Sequence, residues 1–84
     1  MVQLIDFWAP WCGPCKIMDP VVEELEHELK DKAEFKKVNV DEEPAEATKF
    51  GVMSIPTFVI LRDGKEVGRK IGVTSKQELL KLLQ

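Results

Sequence analysis

From residue 2 to residue 8 the chain carries Val2, Leu4, Ile5, Phe7 and Trp8, a nearly unbroken run of strand-forming apolar residues. Such a run predicts a strand covered on both faces, and so a central place in a sheet. Asp6 is the one charged residue inside it. Over residues 14–30 the period changes. At about 100° per residue, Ile17, Met18, Val21, Val22, Leu25 and Leu29 fall on one face, which predicts an amphipathic helix. Lys16, Asp19, Glu23, Glu26 and Lys30 fall on the other face. Pro20 lies within this helix and is expected to kink it, because it removes a hydrogen bond and crowds the preceding turn. Pro14 is tolerated, since first-turn amides have no intrahelical partner.

Residues 34–40 (Phe35, Val38, Val40) predict a second short strand, and strand–helix–strand in this order implies a right-handed parallel crossover. A short helix is expected near residues 44–50, opened by Pro44, anchored by Phe50 and stopped by Gly51. Residues 57–61 (Thr57 to Leu61) predict a third strand. Asp63-Gly64 supplies a tight hairpin turn, and residues 66–71 return antiparallel. Ser75 with Glu78 reads as a capping box, opening a last helix whose stripe is Leu79, Leu80 and Leu83. The fold class is therefore α/β: a four-stranded mixed sheet in the order β-α-β-α-β-β-α, three helices distributed over both faces, first strand central and fourth on an edge.

With 84 residues, the chain is read as a single domain spanning residues 1–84. The net charge is −3, from 12 basic and 15 acidic residues that are interspersed. No basic stripe is present, so a nucleic-acid partner is not expected. No apolar run nears the roughly 20 residues of a bilayer span, so no membrane partner is expected. The opening Met1-Val2-Gln3-Leu4 is already in strand pattern, without a basic n-region, and the expected location is cytoplasmic.

The two cysteines, Cys12 and Cys15, stand three positions apart where the first strand gives way to the first helix. A bond between them closes very little chain, so loop-closure stabilisation is minor and the pair is better explained by chemistry. A sulfur at a helix N-terminus meets free amides and the positive end of the dipole, which favours thiolate. Cys12 is therefore the expected nucleophile. Cys15, one turn on and on the same side, is the expected resolving thiol. Gly13 and Pro14 keep the turn between them compact. Asp6, six residues before Cys12 in an apolar strand, is the expected proton acceptor, since burial raises a carboxyl toward the range useful for proton transfer. Lys37 on the neighbouring strand is its expected partner.

The run Asp6-Phe7-Trp8-Ala9-Pro10-Trp11-Cys12-Gly13-Pro14-Cys15-Lys16 resembles the active-site signature of the thioredoxin family. The likeness continues through Pro20, Lys37 to Asp41, Ser54-Ile55-Pro56-Thr57, Asp63-Gly64 and Gly72, nearly the whole chain. It implies a minimal thioredoxin fold and a protein-disulfide reductase with no cofactor or metal. The chain would work as a monomer on disulfide-bonded protein substrates and be recharged by a thioredoxin-reductase-type donor. It implies that Pro56 is a cis-proline facing the disulfide and that the Ile55 backbone pairs with an extended substrate segment. It also implies that Trp11, Gly13, Pro14, Gly72 and Val73 form an apolar rim around the sulfur.

Two departures accompany the resemblance. The usual strand and helix before the segment matching Val2 are missing, which is expected to leave the 34–40 strand at an edge, blunted by Lys36 and Lys37. Asp19 replaces the small residue usual before the helix proline and adds negative charge near the site. Three other readings compete. Tetrahedral zinc wants four ligands, whereas one Cys-x-x-Cys supplies two, and His27, the only histidine, maps to the polar side of its helix. A glutaredoxin-like or disulfide-oxidant role is a second, disfavoured by Gly-Pro between the cysteines. A binding module with incidental redox chemistry is a third, opposed by the intact Cys12, Cys15, Asp6 and Pro56.

Overall fold

The computed structural model describes residues 1–84 and resolves the apolar run at the start of the chain as β1 (Val2–Trp8). Side chains alternate along it. Val2 and Leu4 join a core with Met18, Val22, Leu25, Phe58, Ile60, Leu79 and Leu83 on one face. Ile5 and Phe7 join Val38, Val59 and Leu61 on the other. This two-sided burial is why the run is apolar throughout and why β1 is central.

The remaining elements are α1 (Gly13–Leu29), β2 (Ala33–Asn39), α2 (Pro44–Lys49), β3 (Thr57–Arg62), β4 (Lys65–Ile71) and α3 (Lys76–Leu83). The sheet order is β2-β1-β3-β4, with β1–β2 parallel and β1–β3 and β3–β4 antiparallel. The expected order and topology thus hold, with element ends displaced by about one residue. Val40 falls just past β2, though its amide still bonds to Trp8 O at 2.9 Å. The β3–β4 hairpin turns on Asp63 and Gly64, whose φ values of 53° and 84° are both positive, as a two-residue primed turn requires. One register shift in that hairpin leaves Val67 unpaired.

α1 and α3 cover one face of the sheet, and α2 covers the other, where Phe50 meets Phe7 at 5.7 Å between ring centroids. α1 runs through Pro20 to Leu29. Its buried positions are Cys15, Met18, Val22 and Leu25. Ile17 departs from expectation: it is 63% exposed. The buried arc centres near Met18, Val22 and Leu25, and Ile17 lies about a quarter-turn away, beyond the edge of the sheet's cover. α3 buries Leu79 and Leu83, while Leu80 and Leu82 pack at the margin. Ser75 caps it, its side chain accepting from Glu78 N at 3.2 Å, but the expected capping box is only half formed, because the Glu78 carboxylate pairs with Lys70 at 3.2 Å instead of the Ser75 amide.

Candidate active site

Cys12 occupies the N-cap of α1 with extended backbone angles (φ −88°, ψ 109°). The cap forms here because β1 ends at Trp8 and a turn closes from Cys12 N to Ala9 O at 3.2 Å, after which Gly13 and Pro14 open the helix. The Cys12 sulfur accepts a hydrogen bond from Cys15 N at 3.2 Å, the interaction that stabilises a cap anion. Cys12 and Cys15 are joined as a disulfide, with Cα atoms 5.3 Å apart. Both residues are 4% exposed, so burial does not separate an outer from an inner cysteine. Position does: Cys12 caps the helix beside exposed Trp11, Gly13 and Pro14, and Cys15 lies within its first turn.

Asp6 is 3% exposed on the face of β1 that packs against α1. Burial pushes its carboxyl up to about 6, against the lowering field of Lys37, and the charge of Asp19 raises it further. Lys37 is the Cα partner of Asp6 across the β1–β2 pairing. Its ammonium nevertheless lies 3.4 Å from the Asp19 carboxylate and 5.0 Å from the Trp8 ring centroid, a cation–π distance. Lys37 therefore acts on Asp6 through space rather than by a hydrogen bond. The Trp8 indole nitrogen is buried without a hydrogen-bond partner.

The Ile55–Pro56 peptide is cis. Ile55 packs against the small cluster of Ala9, Cys12 and Cys15. Gly72 N bonds to Pro56 O at 2.8 Å, and Thr74 N lies 3.5 Å from Met18 Sδ, which brings the loop carrying Gly72 and Val73 to the same end of the sheet. The φ of 85° at Gly72 suits glycine. Trp11 is 68% exposed and Val73 is exposed with it. An open, mostly apolar hollow of about 380 Å³ lies beside Trp11, which lines it with Val40, Ala47, Val52, Met53, Ser54 and Ile55.

Three features of this site escape sequence reasoning. Trp11 Nε1 donates to Asp41 Oδ2 at 2.8 Å, so the turn after β2 is tied to the site. Asp19 holds Lys37. Met53 is 98% exposed at the lip of the hollow. The available signal for Met53 was an apolar residue directly before Ser54-Ile55-Pro56. The other two depend on pairings that only the folded register creates.

A dithiol/disulfide couple at a helix N-cap, with exposed Trp11, Gly13 and Pro14 beside it and a buried carboxyl on the strand that leads into it, defines a thiol-disulfide oxidoreductase. The comparisons agree. The thioredoxin family model matches residues 1–84. The chain is 51% identical over 82 residues to thioredoxin of Bacillus subtilis (strain 168), covering 98% of this chain and 79% of that protein. It is 49% identical over 82 residues to thioredoxin of Staphylococcus aureus (strain Mu50), with the same coverage. Among solved structures, a mutant thioredoxin from Halobacterium salinarum NRC-1 superposes with a TM-score of 0.90 at 40% identity, covering 98% of this chain and 71% of that one. The oxidised form of mitochondrial thioredoxin 3 from Saccharomyces cerevisiae gives 0.87 at 41% identity, covering 95% and 74%. The chain belongs to the thioredoxin family, and it is a thiol-disulfide oxidoreductase with a minimal thioredoxin fold. No helix is long and apolar enough to cross a membrane.

Proposed function

We propose that this chain is a general protein-disulfide reductase, with Cys12 as nucleophile, Cys15 as resolving thiol and Asp6 as proton acceptor. In the reduced protein the Cys12 thiolate attacks one sulfur of a substrate disulfide. A mixed disulfide forms and one substrate thiolate leaves. Cys15 gives its proton to the Asp6 carboxylate, and the resulting thiolate attacks Cys12. The second substrate thiolate leaves, and the Cys12–Cys15 bond closes. Two electrons have passed to the substrate, and a reductase-type dithiol donor returns the pair to the reduced state.

The observation that carries this reading is the Cys12 sulfur at the N-cap of α1, accepting the amide hydrogen of the cysteine it is bonded to. The same amide and the helix dipole stabilise a thiolate there once the bond is broken. The substrate segment lies against Trp11, Gly13, Pro14, Gly72 and Val73, its backbone pairing with Ile55 beside Pro56. Lys37 modulates Asp6. The protein acts in a reducing compartment such as the cytoplasm, where a dithiol of this kind is kept reduced.

The test is reduction of a small disulfide-bonded protein with dithiothreitol as electron source. Cys12→Ser abolishes the rate enhancement, and Cys15→Ser accumulates a mixed disulfide through Cys12. Equal activity in the two variants rejects the assigned roles.

A further inference from the structure

The register of the sheet sets Lys37 directly opposite Asp6, and alternation sends both side chains to the α1 face. A buried carboxylate beside a lysine in this position would normally draw the ammonium onto itself. Here the Asp6 carboxylate has no such hydrogen bond; the Lys37 ammonium is instead 3.4 Å from Asp19 Oδ1 and 5.0 Å from the Trp8 ring centroid. Three elements contribute to this arrangement: Asp6 and Trp8 from β1, Lys37 from β2 and Asp19 from α1.

We propose that Asp19 is a positioning residue of the exchange reaction: it holds the Lys37 ammonium over Trp8 and off the Asp6 carboxyl. This rests on the reading of Asp6 as proton acceptor. The other groups near Asp6 carry no competing charge. Cys12 and Cys15 of α1 are tied in the disulfide, and Asp6 is in register with Phe58 of β3. On α3, Lys76 is paired with Glu24 and Glu28, and Glu78 with Lys70. Lys37 and Asp19 are thus the two charges that act on Asp6, in opposite directions. Removing Asp19 deletes the one that strengthens proton binding and frees the one that weakens it. Asp6 then becomes a weaker base toward Cys15 near neutral pH.

The test is titration of the Asp6 side-chain carboxyl carbon by NMR in the oxidised full chain, where no exchange reaction is needed. Asp19→Ala lowers the Asp6 midpoint by about half a pH unit or more, the size expected of a nearby charge pair partly open to solvent. Asp19→Glu restores most of the shift. In a Lys37→Met background the effect of Asp19→Ala falls to half or less, because the lysine it positions is gone. An unmoved midpoint overturns the inference. So does a shift that keeps more than half its size without Lys37, since Asp19 would then act as a bare charge. The acid limb of the pH profile of reductase kcat/KM moves down with the Asp19→Ala midpoint. If the midpoint moves while Asp6→Asn leaves turnover unchanged, the proton-acceptor reading fails and the Asp19–Lys37–Asp6 coupling stands.

Discussion

The Trp11 indole nitrogen donates a 2.8 Å hydrogen bond to the Asp41 carboxylate, fixing the most exposed aromatic side chain at the rim to the turn that follows β2. That turn is itself held by Asn39, whose side chain accepts from Asp41 N at 2.9 Å. A large ring kept in one orientation before a partner arrives loses less entropy on contact.

Asp41→Ala releases the indole. A hydrogen bond to a charged acceptor at a partly wetted site contributes about 1 kcal/mol, so KM for a protein disulfide substrate rises about threefold to tenfold while kcat holds. Reduction of a small-molecule disulfide, which does not span the rim, is unchanged. Steady-state kinetics on the two substrates checks this, and an equal loss on both would place Asp41 elsewhere in the mechanism.

The contrast between Ile17 and Met18 predicts a second outcome. Adjacent in sequence, they are 63% and 1% exposed. Met18→Ala opens a cavity in the core formed by β1, α1, β3 and α3, and costs about 2–5 kcal/mol. Ile17→Ala stays within about 0.5 kcal/mol of the parent. Denaturant melts of the oxidised variants separate the two, and a large loss at Ile17 would mean that its face of α1 is covered.

This pair also shows where sequence reading ends. Periodicity found α1 and its apolar arc, yet it could not say where the arc meets the edge of the sheet, because that depends on how the helix sits on β1 and β3. The elements themselves were legible because each local signal agreed with the next: the continuous run of β1, Asp63-Gly64 at the hairpin, Ser75 and Glu78 at α3. The redox pair was legible because its chemistry is local, three positions along one helix start. The pairings of Trp11 with Asp41 and of Asp19 with Lys37 were not. Each joins side chains from different elements, and an acidic residue after a strand or on a polar helix face looks the same whether it is solvated or engaged.

Ser75→Ala removes the side-chain acceptor for Glu78 N and leaves a helix-end amide with water alone. The expected loss is about 1 kcal/mol of global stability, with the denaturant m-value unchanged. Exchange activity does not move, because Leu79 and Leu83 hold α3 in a core cluster that contains neither cysteine. A fall in activity at full folding would tie α3 to the site.

Asp6→Asn tests the cost of keeping a carboxyl under α1. Burial holds the Asp6 carboxyl at about 6 in the folded protein, up from the ordinary 3.8. The folded state binds this proton more tightly than the unfolded chain does, so unfolding releases it between those two values. Stability from this group is therefore fully present below about pH 4, falls as pH rises to about 6, and stays low above that. At about 1.4 kcal/mol per pH unit, the ionised carboxylate costs on the order of 3 kcal/mol at neutral pH. An amide in its place cannot ionise but must still be desolvated, which leaves a net gain of about 1–2 kcal/mol. Urea unfolding of the oxidised proteins checks the sign: Asp6→Asn is the more stable near pH 8, the two proteins cross at about pH 5, and by about pH 4 the parent is the more stable. Turnover in the disulfide-reduction assay slows in the same variant, so stability and rate move in opposite directions at one position. A variant less stable than the parent at pH 8 would mean that the Asp6 carboxylate is well paired in solution, and both halves of this prediction would fail together.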